Sequence, residues 1–273
     1  MYQKKSQLIS RKVALSYPLR KTKVDFITEG DFLNLCRNWL ESDRFHHVVT
    51  LNPEMVVRAE HDREFRQSVN QASLRVADGV GLWWARDYME SQMPVLISLL
   101  LLPLKKYKRV TGVDSMINIC GLCEEMGKSV FLVGANEKEN RGAARFLRAK
   151  FKTLQVRGVA NGGAETIARI KPDVLFVAYG APKQTVWIER FKDSWPSARV
   201  AIGVGGALAV LSGRKSRAPG FMRNSFEWLW RLLHEPKRFF RIWRAVVMFP
   251  YLIWQQKRGT FTHTEIDEVS QDI

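Results

Sequence analysis

Asp173-Val174-Leu175-Phe176-Val177-Ala178-Tyr179-Gly180-Ala181-Pro182-Lys183-Gln184 decides the fold class. After the aspartate the run is apolar without alternation, as expected of a strand covered on both faces. Gly180 suits a tight turn, and Pro182 suits the start of a helix, where its missing N–H costs nothing. Lys183 and Gln184 fall in that first helical turn. A lysine is unfavourable at the positive end of a helix dipole, so its presence is easier to explain if an anion such as a diphosphate shares the site.

Working outward, the same alternation recurs along the chain. The patterning predicts strands over 47–51, 74–77, 129–133, 154–159, 173–178 and 199–203. It predicts helices over 30–40, 53–69, 79–88, 114–126, 137–150, 164–170, 182–191 and 205–211. Short apolar runs alternating with helical patterns describe an α/β sheet with helices on its faces.

In such sheets, ligands gather where strands end and helices begin. Three further junctions are equipped for this. In Thr50-Leu51-Asn52-Pro53-Glu54 a strand ends in polar residues and a proline opens a helix; Asn52 is equally suited to capping that helix and to touching a ligand. In Ala77-Asp78-Gly79-Val80-Gly81 a carboxylate sits at a strand end beside two glycines. Asp78 fits a general base, a metal ligand or a helix cap, and taken alone the cap is the commonest role for such a residue. Gly203-Val204-Gly205-Gly206 resembles a phosphate loop. A dinucleotide reading would need an acid about 20 residues on, where Arg223 and Asn224 stand, so an NAD-dependent oxidoreductase is poorly supported.

Charge is unevenly spread over the 273 residues. The chain carries a net +16. Residues 1–23 hold seven Lys/Arg and no acid, and 214–258 hold eleven against two acids, whereas 24–213 is nearly balanced and 259–273 carries four acids alone. This divides the chain into a basic N-terminal arm (1–23), an α/β core (24–213), a basic helical appendage (214–258) and an acidic, disordered tail (259–273). A strongly basic protein seeks an anionic partner, whether nucleic acid, anionic lipid or a phosphorylated substrate. No nucleic-acid-binding signature accompanies the charge, which ranks that partner lower.

The appendage favours lipid, ahead of the alternative of a core-packed helical pair whose arginines are only solvated. Met222, Phe226, Leu229 and Leu233 share one helical face, with Arg223, Glu227 and Arg231 on another. Phe239, Phe240, Trp243 and Val247 lie opposite Lys237, Arg241 and Arg244, and Pro250 should end or kink that helix. Basic amphipathic helices with aromatic apolar faces are a membrane-surface pattern. No stretch reaches the ~20 apolar residues of a membrane span, though 94–104 and 245–254 come near it. Cys36, Cys120 and Cys123 form no even framework, which points to a reduced cytosolic compartment. The Cys120-x-x-Cys123 spacing suits a buried helix face better than a redox or zinc site.

These junctions together resemble the WecG/TagA/CpsF family of bacterial glycosyltransferases. The resemblance runs from about Val24 to Arg244. It rests on the three junctions above, on Gly180–Gln184, on Arg109-Val110-Thr111-Gly112-Val113-Asp114 and on Glu227-Trp228-Leu229-Trp230-Arg231. The family implies a Rossmann-like core and inverting transfer of N-acetylmannosamine, its uronic acid or a related hexose. The donor would be a UDP-sugar and the acceptor undecaprenyl-diphosphate-linked GlcNAc, at the cytoplasmic face of an anionic membrane. It further implies Asp78 as catalytic base, Thr50 and Asn52 near the sugar and diphosphate, and Gln184 at the donor. Arg231, Arg238 and Arg241 would come from a membrane-docked appendage, with no metal or other cofactor. Gly180, Lys183 and Gly205 join the expected substrate-binding set as the turn, cation and loop of the junctions already described. Which donor is used, and whether the protein is a homo-oligomer, stay open.

The chain departs from the family pattern twice. A Leu-rich, then basic, segment is inserted at 94–109, and Ala207-Leu208-Ala209-Val210-Leu211 stands where the family often carries an aspartate. The second departure keeps a non-enzymatic alternative in play: a membrane-attached protein that binds a nucleotide sugar or glycan without turnover.

Overall fold

A computed structural model describes residues 14–107, 109–159, 163–223 and 227–259. In chain order the elements are β1 (Leu15–Leu19), β2 (Thr22–Phe26), α1 (Glu29–Glu41), β3 (His46–Leu51), α2 (Pro53–Ala59), α3 (Arg63–Gln71), β4 (Leu74–Ala77), α4 (Val80–Glu90), α5 (Val95–Leu100), α6 (Gly112–Glu125), β5 (Ser129–Gly134), α7 (Glu137–Lys150), β6 (Gln155–Val159), α8 (Ala164–Ile170), β7 (Val174–Ala178), α9 (Lys183–Phe191), β8 (Val200–Gly203) and α10 (Ala207–Leu211). Beyond these lie α11 (Gly220–Arg223), α12 (Glu227–His234), α13 (Phe239–Trp243), a π-helical turn (Arg244–Met248) and α14 (Phe249–Lys257).

The strands form one sheet in the order β1-β2-β4-β3-β8-β7-β5-β6, parallel throughout except for β1. This is the expected Rossmann-like α/β sheet with helices on both faces. Alternate residues of the central strands feed opposite cores. Val130, Leu132, Val174 and Phe176 meet α1, α6, α7 and α10, while Phe131, Val133, Leu175 and Val177 face α8 and α9. Val49, Leu51 and Ala77 join α2, α3, α4 and α14 on that second face. Cys36, Cys120 and Cys123 are all buried in the first core, so the C-x-x-C is a packed helix face.

The adjacent strands β3 and β8 lead into helices on opposite faces, α2 and α10. Their outgoing loops therefore diverge and open a crevice at the carboxyl ends of the strands.

Two boundaries differ most from the expectations. The arm at 1–23 loses its second half to the sheet: β1 and β2 form a hairpin with Leu15 paired to Phe26 and Leu19 to Thr22. Pro18 disguised β1, since proline is tolerated only in an edge strand, and β1 is the edge. The turn also lacks the usual glycine, because Arg20 itself takes the left-handed conformation at φ 57°. Its guanidinium is held by Glu60 at 2.8 Å. The helix expected over 53–69 is two helices, broken where Asp62 caps α3 by accepting from the Phe65 N–H. Residues 1–13 of the arm, Phe226 of the amphipathic pattern and residues 260–273 of the acidic tail lie outside the described residues.

The appendage is corrected in the same way. Pro250 does not end the helix, because the π turn immediately before it widens the backbone ladder where a proline ring would otherwise collide. Helix α14 then returns to the body. Phe249 and Ile253 are fully buried against α2 and α4, and Lys257 Nζ donates to the carbonyls of Tyr88 (2.6 Å) and Ser91. Hydrophobic pattern alone could not separate these two side chains from exposed Phe240 and Trp243. Phe249→Ala is expected to lower unfolding stability by about 3–5 kcal/mol in denaturant titration; a change under about 1 kcal/mol would make α14 a detachable element. No helix among the described residues is long and apolar enough to cross a membrane.

Candidate active site

Asp78 follows the last residue of β4, and its N–H donates to the Leu51 carbonyl of β3 at 2.7 Å. The cap role does not survive: Gly79 is the N-cap of α4, and no side chain caps that helix. Glycines make the geometry possible. Gly79 sits at φ 109°, and a Cβ on Gly81 would lie 2.7 Å from the Pro53 ring. The first turn of α4 thus presses against α2, and the carboxyl of Asp78 is turned toward an open cleft of about 260 Å³.

Guanidinium groups converge on this cleft from separate parts of the chain. Arg109 comes from the loop before α6, Arg231 from α12, Arg238 from the short turn after it, and Arg241 from α13. Each is paired with a carboxylate. Glu227 bridges Arg231, one helical turn on (Nε at 3.0 Å), and Arg109 (3.6 Å). Glu235 meets Arg238 at 2.6 Å, and Glu54 meets Arg241 at 2.8 Å. Nearby, Arg217 binds Asp114 (2.7 Å) and Thr111 (3.2 Å) at the capped start of α6.

This setting raises the pKa of Asp78 to about 6. Burial is the main cause; Arg109, Arg231 and Arg217 oppose it, and Glu227 reinforces it. A carboxyl that titrates near 6 is largely ionised at neutral pH yet basic enough to accept a proton.

Of the expected site residues, the fold gathers Asn52, Asp78, Arg231, Arg238 and Arg241 around the cleft. Asn52 also caps α2, accepting from the Met55 N–H at 3.1 Å, so cap and cleft-lining roles coexist. The other five do not line this cleft. They cluster at the ends of β3, β7 and β8. Thr50 Oγ1 donates to the Gly203 carbonyl at 2.8 Å, tying β3 to β8. Gln184 is buried, and its Oε1 accepts from the N–H groups of Gly180 (3.0 Å) and Gly205 (3.1 Å). It clamps two loops together, both glycines holding positive φ. Lys183 is exposed, its ammonium 5.2 Å from the Tyr179 ring.

Sequence reasoning had not singled out Glu54, Arg217 or Glu227 as site residues, nor Arg109 beyond its motif. Arg109, Asp114 and Glu54 stand inside the motifs already quoted. Nothing local marks Arg217, whose partner Asp114 lies 103 residues away. In the segment after Gly206, Ala207, Leu208 and Ala209 of α10 are buried in the core.

The model of the Glycosyl transferase WecG/TagA/CpsF family matches residues 17–262. Among curated proteins, an N-acetylglucosaminyldiphosphoundecaprenol N-acetyl-beta-D-mannosaminyltransferase of Bacillus subtilis (strain 168) is 28% identical over 211 residues, covering 74% of this chain and 75% of the relative. The protein of the same name from Staphylococcus aureus (strain MRSA252) is 31% identical over 219 residues, 77% of this chain and 80% of its own.

Proposed function

The chain belongs to the WecG/TagA/CpsF family of glycosyl transferases, and from that we propose that it transfers N-acetylmannosamine, its uronic acid or a related hexose from UDP to undecaprenyl-diphosphate-linked GlcNAc. The observation that carries the reading is the cleft itself, where a carboxyl titrating near 6 faces guanidinium groups from α12 and the α5–α6 loop. The names of the two relatives supply the acceptor class and the mannosaminyl group.

Ionised Asp78 takes the proton from the acceptor hydroxyl as that oxygen attacks the anomeric carbon. The bond between that carbon and the UDP oxygen breaks on the opposite side, so the centre inverts. Negative charge grows on the departing diphosphate, and the forked donors of Arg109 and Arg231 meet it. In this reading the arginines carry that charge without a metal, and EDTA leaves the rate unchanged. The basic aromatic face of α13, with Phe239, Phe240 and Trp243 about half or more exposed, rests on the cytoplasmic face of the membrane.

The test is acceptor-dependent UDP release across a panel of UDP-sugars, using a short-chain lipid-diphosphate-GlcNAc. Release with one donor supports transfer. Donor binding without release would favour a non-catalytic binding protein.

Glu227→Gln has a distinct expected effect. It removes a negative charge that raises the pKa of Asp78 and leaves Arg109 and Arg231 to act on the base unopposed. The acid limb of the kcat/KM profile, expected near pH 6 in wild type, therefore moves to lower pH. A limb that stays or moves up would count against Asp78 as the base.

A further inference from the structure

The cleft has two chemically different ends. Beyond Asp78 and its arginines it is walled by Leu99 and Leu102 on one side and by Ile242 and Val246 on the other, over Trp84 and Phe249. Neither a hexose nor a diphosphate needs a hydrocarbon wall of this kind.

One wall is built from the inserted segment, and it is anchored. Trp84 Nε1 donates to the buried Ser98 hydroxyl at 3.1 Å, fixing α5 on α4. On the return, the Tyr107 hydroxyl and Lys105 Nζ both donate to Asp87, at 2.9 and 2.7 Å, and Trp83 stacks on Tyr107. The inward residues thus hold a set position, while Leu96, Leu100 and Leu104 on the outer side are each more than three-quarters exposed. A short helix whose outer residues are all apolar and stand in the open marks a surface that meets something apolar. The opposite wall runs continuously into the charged site, because Arg238, Arg241, Ile242 and Val246 line the same cleft from one helical stretch.

We propose that this apolar end is a binding subsite for the first isoprene units of a polyprenyl diphosphate-linked acceptor, with α5 and the segment that follows it as its wall. The inference rests on the transferase reading for the class of acceptor. Such an acceptor is an anionic diphosphate joined to branched hydrocarbon, and the cleft presents cations and hydrocarbon in one continuous run. The exposed leucines then continue the path toward the lipid in which the rest of the chain lies.

Full-length protein decides the matter through two acceptors with the same GlcNAc-diphosphate head, one on a farnesyl group and one on a methyl group. Wild type is expected to prefer the farnesyl acceptor in kcat/KM. Leu99→Ser/Leu102→Ser, and separately the partly exposed Val246→Asp in case the leucine variant folds poorly, should each cut that preference about tenfold. The Kd for farnesyl diphosphate, read by calorimetry, should weaken to a similar extent. An unchanged preference in both variants overturns the proposal. So does a change confined to vesicle flotation, which would make the segment a membrane contact only, or one confined to sedimentation, which would make it a contact between copies. If no donor supports transfer the transferase reading fails, and farnesyl diphosphate binding alone still decides the subsite.

Discussion

Asp78→Asn is expected to slow acceptor-dependent UDP release by at least a hundredfold, within the range of about 10²–10⁴ for loss of a general base, while the protein folds at least as well as wild type. The two halves of that expectation have one origin. The carboxyl titrates near 6 rather than near its ordinary 3.8, chiefly because burial disfavours its ionised form. An elevated folded-state pKa means that folding favours the protonated acid. Well below pH 3.8 the folded and unfolded chains both hold the proton, and the site costs nothing. As pH rises through 6 the folded chain must ionise a poorly solvated group, and stability falls relative to a neutral residue. The asparagine variant should therefore match wild type in Tm near pH 3 and exceed it near pH 7.5. A variant that keeps more than about a tenth of wild-type turnover would remove Asp78 from the chemistry. One that loses turnover together with Tm would show a structural role instead.

Arg231→Ala should reduce kcat by about 10²–10³, the usual loss when one donor to a developing oxyanion is removed. Stability should hardly move. Arg231 is half-exposed, and its pairing with Glu227 is a surface i,i+4 contact of the kind worth about 0.3–0.5 kcal/mol. A second signature separates this residue from general charge effects. Its cation opposes the rise in the Asp78 pKa, so its loss should carry the acid limb of the rate profile to higher pH, opposite to the shift expected for Glu227→Gln. Arg231→Lys restores the charge without the forked geometry and should recover the limb better than the rate. Unaltered kcat in Arg231→Ala would mean that the guanidinium does not reach the leaving group.

Glu227 gives these two results a common setting. In the protein alone it holds both Arg109 and Arg231, so the cations over the base are already partnered. An entering diphosphate has to share or displace that carboxylate. Arg241 and Arg238 are matched in the same manner by Glu54 and Glu235. The cleft is therefore far less positive than the basicity of segment 214–258 suggests.

Much of the sheet could be read from the chain because its causes are local. Strand β4 has its predicted bounds, and β5, β7 and β8 differ by one residue; in β5 and β7 the unbroken Val, Leu and Phe runs admit little else. The junction residues were equally visible, because glycine and proline declare the turns that they permit. The tertiary structure alone decided three matters. It converted Asp78 from the cap its residue type favours into an uncapped carboxyl facing a cleft, because Gly79 took the cap position. It made Gln184 a clamp between two loops, through N–H groups that no sequence pattern assigns to it. It also divided the aromatic C-terminal helix between core and surface, burying Phe249 and leaving Phe240 out. The physical reason is the same in each case. Propensity and periodicity act over a few residues, whereas a side chain's solvent, partner and charge are set by whatever the fold packs beside it, near or far along the chain.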